Sequence, residues 1–160
     1  IEKANVMQSI ATESLTQSGE LQNYLDKIRT SSFELFKKGK SDEAIALIQK
    51  EIIEKKYAKD NDYSALGYIY LYNKQFVKAE ELYKKAIDKN SSELLYQLKL
   101  AHVFMFSNKV GEAKAIHKLY KDNNVSSSKS WIAQTKFDFE DFEKRGFPTD
   151  NFKKILRILE

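Results

Sequence analysis

Two histidines, His102 and His117, are the residues of this 160-residue sequence best suited to acid–base chemistry near neutral pH. No acidic residue lies one helical turn from His102, so no neighbour along a helix would orient it as a general base. The chain has no cysteine, which excludes thiolate nucleophiles, and two histidines are too few for a histidine-rich metal centre. Glycine-rich phosphate loops, H-E-x-x-H and G-x-S-x-G motifs are missing. We therefore predict no catalytic site, no metal and no cofactor.

Four carboxylates lie close together near the C-terminal end, at Asp138, Glu140, Asp141 and Glu143. On a helix of 3.6 residues per turn they would face several directions and would not converge on one ion. They alternate with aromatic residues, at Phe137, Phe139 and Phe142. We expect a half-solvated helix here and no metal site.

The composition predicts an all-α protein of one domain. One proline and five glycines, beside many helix-forming residues, favour long helices, and 42% hydrophobic with 31% charged residues is ordinary for a soluble domain. The 27 basic and 23 acidic residues give a net charge of +4, which is a usual level for solubility. The longest nearly apolar run, 65–72, is far shorter than the roughly 20 residues that span a bilayer. Because the chain begins at Ile1, we expect a processed form or an excised piece, either cytoplasmic or exported.

Apolar periodicity predicts three helices before residue 60. A weak helical stripe covers 3–17, an interruption is expected at Ser18-Gly19, and a stronger stripe runs on to Gly39, a good C-terminal stop. Apolar residues at helical spacing then predict a third helix over 41–53.

An internal repeat of 34 residues organises the rest of the chain. Shifting the sequence by 34 aligns Leu66 with Leu100, Gly67 with Ala101, Tyr70 with Phe104 and Ala79 with Ala113. Within the first unit the order is Tyr63-x-x-Leu66-Gly67-x-x-Tyr70, then Ala79, Tyr83 and Ala86. Small residues at Gly67, Ala79 and Ala86 would let two antiparallel helices approach closely, with the aromatic rings filling the space around them.

This order resembles the tetratricopeptide repeat, whose pattern is W-x-x-L-G-x-x-Y, then A-x-x-x-F and a closing proline. The sequence departs from that pattern with Ser91 and Val125 at the proline positions, and with Gln97, His117 and Tyr120 in the second unit. The resemblance puts His117 at a core aromatic position, so we expect it to serve packing.

The resemblance implies a right-handed superhelix of antiparallel helix hairpins, an α-solenoid, with extra N-terminal helices and a C-terminal capping helix. We expect one domain over 1–160, divided into an N-terminal extension (1–24), a loose repeat (25–58), a strong repeat (60–93), a second repeat (94–127) and a degenerate repeat with a cap (128–160). The cap would be a final helix that runs to Glu160, with Thr149 or Asp150 as its N-cap residue and with Phe152, Ile155, Leu156 and Leu159 on one side.

The resemblance also implies a concave groove lined by the first helix of each hairpin, and therefore a protein-interaction scaffold. Carried over position by position, the groove residues are Ser64, Tyr68, Leu71 and Tyr72 in the strong repeat, Leu98, His102, Met105 and Phe106 in the second, and Arg29, Phe33, Phe36 and Lys37 in the loose one. Aromatic and Met side chains are favoured at interface centres. Alternatively, the N-terminal helices fold back and bury some of these residues.

Members of the family that grip the carboxylate tail of heat-shock chaperones use lysines and asparagines at two of these groove positions. Here those positions hold Ser64, Tyr68, Leu98 and His102. The sequence therefore predicts an apolar or aromatic peptide as the partner, with no small-molecule cofactor.

Two other functions stay open at this point. Lys114, Lys118 and Lys121 lie on one helical face, backed by Lys109, and such a row could meet the phosphates of a nucleic acid. The interleaved aromatic residues typical of single-strand binders are absent beside it. The repeats could also regulate an enzyme that belongs to an upstream part of a longer chain.

Overall fold

The computed structural model describes the backbone from residue 2 to residue 160 and the side chains from residue 17 onward. All its regular elements are helices, so the predicted all-α class is confirmed; outside them, the described backbone forms one isolated bridge, between Asn124 and Ser130. The chain divides into two compact units, Ile1–Tyr57 and Ala58–Glu160. The helices are α1 (Glu2–Lys37), α2 (Ser41–Ile48), α3 (Asp60–Tyr72), α4 (Phe76–Lys89), α5 (Leu94–Phe106), α6 (Val110–Tyr120), α7 (Trp131–Lys144) and α8 (Phe152–Leu159).

The first unit is built on a long helix, α1, that packs against α2. The helix continues through Ser18-Gly19, so the predicted interruption there is wrong. A single glycine costs a helix only about 1 kcal/mol relative to alanine, and the neighbouring Gln, Glu and Leu residues favour helix. The predicted stop at Gly39 is confirmed, because Gly39 has a φ of 80°, a left-handed conformation that glycine adopts without strain. After α2 the chain continues in a π-helical turn, Gln49–Ile53.

One backbone turn recurs at the end of four helices. A residue in the left-handed region, with φ between 60° and 80°, follows α1, α3, α5 and α7. The next N–H then donates to the carbonyl five residues earlier, at 2.9–3.0 Å: Lys40 to Leu35, Gln75 to Tyr70, Lys109 to Phe104 and Phe147 to Phe142. This is the Schellman arrangement, which satisfies the last carbonyls of a helix and reverses the chain. The 34-residue sequence period therefore has a counterpart in backbone geometry, where Lys74 and Asn108 are the left-handed residues of equivalent turns.

The three turns that lead directly into a second helix share one more feature. Ala44, Ala79 and Ala113 each lie in the first turn after the reversal, each N–H bonds to the carbonyl four residues earlier, and each side chain is fully buried. The small side chain lets the second helix pack close to the first. Within the second unit α3 packs on α4, α4 on α5, α5 on α6, and α6 on α8.

Gly67 lies where α3 and α4 approach each other closely, as its position in the repeat predicts. A Cβ atom placed on Gly67 would lie 3.0 Å from the ring of Tyr83 on α4. The Tyr83 ring is fully buried, so it has no open space to move into.

The last two helices close the second unit. Phe152, Ile155 and Leu159 of α8 are buried, and Phe152 stacks on Phe139 of α7 with ring centroids 4.2 Å apart. The predicted final helix is confirmed as an element, but its N-cap residue is Asn151, one or two residues later than the expected Asp150 or Thr149, and the helix spans Phe152–Leu159.

Candidate partner-binding site

Four of the predicted groove residues are buried within the second unit. Leu71, Leu98 and His102 have no exposed surface and Met105 keeps only 2%. In this conformation these four side chains pack in the interior of the second unit, and a partner would not contact them.

The other four predicted residues of the second unit are half-buried, so part of each side chain reaches solvent: Ser64, Tyr68, Tyr72 and Phe106. Tyr68 and Tyr72 lie one helical turn apart on α3, with ring centroids 4.4 Å apart. In the first unit, Arg29 is half-buried and pairs with Asp26 at 3.0 Å. Phe33 is 53% exposed with Lys37 over its ring, and Phe36 is half-buried.

Helix α7 covers the side of α3 and α5 on which Tyr72, His102 and Phe106 lie. The ring of Phe142 contacts Tyr72 of α3, with centroids 5.6 Å apart, and meets Phe106 of α5 edge to face at 5.0 Å. It also meets His102 edge to face at 5.2 Å. Edge-to-face pairs are a favoured aromatic geometry, so α7 is a well-packed neighbour of both first helices.

A buried carboxylate, Asp138 of α7, anchors this packing. Its Oδ2 atom accepts hydrogen bonds from Lys99 Nζ and from His102 Nε2, each at 2.9 Å. Burial by itself raises the pKa of this carboxyl group, but the bond from His102 and the charge of Lys99 outweigh it and hold the pKa below its usual range. Asp138 is therefore a carboxylate at neutral pH, paired with the Lys99 ammonium.

Both histidines are buried and neutral. The Asp138 carboxylate can only accept a hydrogen bond, so the neutral His102 carries its proton on Nε2. The Trp131 indole can only donate, and it donates to His117 Nδ1 at 2.9 Å, so the neutral His117 also carries its proton on Nε2. Burial lowers the pKa of His102, and burial, with a smaller contribution from the neighbouring His102, lowers the pKa of His117 to about 3. His117 therefore serves packing, as predicted, and lies at a ring-centroid distance of 5.6 Å from Trp131.

The half-exposed edge of this region combines the tyrosine pair with an arginine. The Tyr72 hydroxyl donates to Asp141 Oδ2 at 3.0 Å, and Arg145 Nε donates to the same oxygen at 3.0 Å. The Arg145 guanidinium lies over the Tyr72 ring, 4.6 Å from its centroid, and its side chain is 48% exposed. Burial, the neighbouring Tyr68 and the hydrogen bond to Asp141 raise the pKa of Tyr72, so its hydroxyl stays a donor. We call Ser64, Tyr68, Tyr72 and Arg145 the tyrosine–arginine surface.

Sequence reasoning missed the part that α7 plays. The sequence predicts a half-solvated helix whose carboxylates face several directions, whereas one of them, Asp138, is buried and only 3% exposed. One signal was available: Trp131, Thr135, Asp138 and Phe142 follow steps of three and four residues, which places Asp138 on the apolar stripe of its helix. A charged residue at such a position requires a partner in the fold.

One open pocket of about 170 Å³ lies where the end of α5 meets the loop before α8, lined by Met105, Phe106, Asn108, Pro148, Asp150 and Asn151. The part of the chain that the structure describes holds no cluster of three or more His, Asp or Glu side chains that could bind a metal ion. None of the helices in that part is both long and apolar enough to cross a membrane.

Comparison of the chain with protein-family models, with curated proteins and with solved structures gives no match. Function is therefore inferred from the residues and contacts described above.

Proposed function

We propose that this chain is a protein-interaction module built from helix hairpins of the tetratricopeptide type, stacked as a superhelix, and that it binds a peptide segment of a partner on the tyrosine–arginine surface. The observation that carries the proposal is the half-exposed pair Tyr68–Tyr72 with the Arg145 guanidinium over the Tyr72 ring. Tyrosine and arginine are the side chains most enriched where binding energy concentrates in protein interfaces.

The recurring turn supports the hairpin-repeat part of the proposal. Equivalent left-handed residues, equivalent backbone hydrogen bonds and buried alanines at Ala44, Ala79 and Ala113 follow one another at nearly constant spacing. A repeat array uses such units to present first-helix side chains on one continuous surface. The first-unit candidates Arg29 and Phe33 hold the corresponding positions of their own repeat.

Preorganisation supports the choice of this surface. Tyr72 is held by its hydrogen bond to Asp141 and by Phe142 and Phe147, with ring centroids 5.6 and 5.9 Å away. Arg145 is held by Asp141 and by the Tyr72 ring. Side chains that are already ordered lose little entropy when a partner binds. A partner with an apolar or aromatic side chain would bury the exposed part of Tyr68 between its own ring and that of Tyr72.

Site-specific photo-cross-linking tests the proposal. A benzophenone amino acid is placed at Tyr68 in one variant and at Phe137, which is 57% exposed on α7, in the control. After irradiation in an extract of the producing cells, a discrete cross-linked protein is expected with the Tyr68 variant only. Cross-links that are equal at both positions, or confined to Phe137, would contradict the proposed surface.

A further inference from the structure

The basic side chains of the second unit fall into two groups according to what they contact. On α4 and α5 every lysine has a partner: Lys84 and Lys85 pair with Glu80 and Glu81, Lys99 pairs with Asp138, and Lys78 and Lys89 lie over tyrosine rings. These charged groups therefore interact with other side chains of the same unit.

The basic side chains of α6 and α8, together with Lys59 and with Lys136 and Lys144 of α7, form the other group. Lys114 and Lys118 of α6, Lys121 directly after it, and Lys153, Lys154 and Arg157 of α8 make no ion pair and lie over no aromatic ring within the described residues. Four of them are exposed and two, Lys114 and Lys121, are half-buried. We call these six residues the α6–α8 basic surface.

The two helices that carry the six cations are neighbours in the fold. Helix α8 packs on α6, and Lys121 Nζ lies 3.5 Å from the backbone oxygen of Ile158, so the C-terminal ends of the two helices are neighbours. Lys114, Lys118 and Lys121 follow at steps of four and three residues, with Cβ atoms about 5–6 Å apart on one face. The sequence alone indicated only the α6 row, because nothing along the chain shows that α8 lies beside it.

The net positive charge of the protein belongs to the second unit. Residues 1–57 hold nine basic and nine acidic residues, and residues 58–160 hold 18 basic and 14 acidic ones. Residues 110–121 and 152–160 hold the six residues of the α6–α8 basic surface and two acidic ones, Glu112 and Glu160, so these two segments carry a local excess of positive charge.

Two of these cations lie at the end of α8 where a positive charge is unfavourable. Lys153 and Lys154 lie in the first turn of α8, where the positive end of the helix dipole disfavours cations. No acidic residue lies in that turn to compensate. The position reduces the stability of the fold slightly, which is common for residues retained for binding.

We propose that the α6–α8 basic surface binds the phosphate backbone of a nucleic acid, independently of the tyrosine–arginine surface. Charge complementarity supports this occupant, and the α6 row extends over about 10 Å of helix, which matches about three successive phosphates of one strand. Exposed aromatic rings that could stack on bases are missing from α6 and α8 within the described residues, since the exposed aromatic side chains are Tyr24, Phe33, Tyr57 and Phe137. Binding through phosphates alone is expected to be independent of base sequence.

Fluorescence anisotropy with a labelled 20-base-pair DNA duplex, and with one of its single strands, tests the proposal on the whole chain. We expect binding that weakens steeply with added salt, with a slope of log K against log salt of about −4 to −5 for the duplex. Neutralising one triad, Lys114→Gln with Lys118→Gln and Lys121→Gln, should reduce the size of that slope by about 2–3. The α8 triad, Lys153→Gln with Lys154→Gln and Arg157→Gln, should act in the same way.

A matched control removes the same charge elsewhere: Lys27→Gln, Lys38→Gln and Lys40→Gln are all exposed in the first unit. The proposal requires the control variant to keep most of the wild-type affinity and slope, and both triad variants to keep the wild-type melting temperature or exceed it. It is overturned if neither DNA form binds at low salt, or if the control loses as much affinity as the triads. It is also overturned if the chain binds anionic phospholipid vesicles and no oligonucleotide.

Discussion

Acidification should destabilise the second unit, because it contains a histidine that the fold keeps neutral. Burial, with a smaller contribution from the neighbouring His102, lowers the pKa of His117 from its ordinary value of 6.5 to about 3. In the unfolded chain His117 takes up a proton as the pH falls below about 6.5, while in the folded chain it does not. Stability is therefore fully present above about pH 6.5 and is lost progressively between pH 6.5 and 3.

The size of the effect follows from the two pKa values. At pH 5 the proton taken up only by the unfolded chain lowers the free energy of unfolding by about 2 kcal/mol relative to pH 7.5. Burial lowers the pKa of His102 as well, which adds to the loss. The lowered pKa of Asp138 acts in the same direction only below its ordinary value of 3.8, so the window from pH 7.5 to 5 reports the histidines. For a chain of this length, about 2 kcal/mol corresponds to a fall of about 4–8 °C in melting temperature.

Urea unfolding followed by the fluorescence of Trp131 measures this directly, because Trp131 is the single tryptophan and donates to His117. The variant His117→Gln keeps an acceptor for the indole but does not titrate, so its loss of stability between pH 7.5 and 5 should be smaller than that of the wild type by about 2 kcal/mol. A wild type whose free energy of unfolding is equal at both pH values would refute the reasoning, as would a glutamine variant with the wild-type pH dependence.

Two further changes test the packing. Gly67→Leu should lower the free energy of unfolding by about 1–3 kcal/mol, because the new side chain meets the Tyr83 ring, whereas Gly111→Leu meets open space and should not lower it. Thermal denaturation followed by circular dichroism compares the two variants. Equal midpoints would contradict the close approach. Deleting residues 149–160 removes α8, whose buried side chains Phe152, Ile155 and Leu159 cover an apolar side of the second unit. Light scattering should therefore show association of the truncated chain. A monodisperse, equally stable monomer would mean that α8 is not a cap.

Local signals in the sequence predicted the helices and their turns well. Helical periodicity predicted a helix that stops at Gly39 and another over 41–53, where the structure has α2 and a π-helical turn, and Gly39 does form the predicted turn. The 34-residue period located Gly67 opposite Tyr83, because a position without a side chain is informative wherever two helices touch. The turn and the close approach both depend on residues that are near each other in the sequence or that belong to the same helix hairpin.

Features that depend on distant parts of the chain were not predictable in the same way. Asp138 pairs with Lys99 and His102, which are 39 and 36 residues away, and no local pattern shows that α7 lies across α5. For the same reason Leu98, His102 and Met105 were expected at an open groove and lie in the interior. The break expected at Ser18-Gly19 failed for a different reason, since one glycine is too weak a signal to end a long helix.

The most direct test of the proposed function is the affinity of a selected peptide for matched variants. A peptide is first selected from a random library against the folded chain, and its dissociation constant is then measured by calorimetry. Tyr68→Ala with Arg145→Ala should weaken it by about 30-fold or more, which corresponds to about 2 kcal/mol, while Phe137→Ala should leave it unchanged. Equal affinity for the wild type and the Tyr68–Arg145 variant, with the fold intact by circular dichroism, would contradict the tyrosine–arginine surface as the place where partners bind.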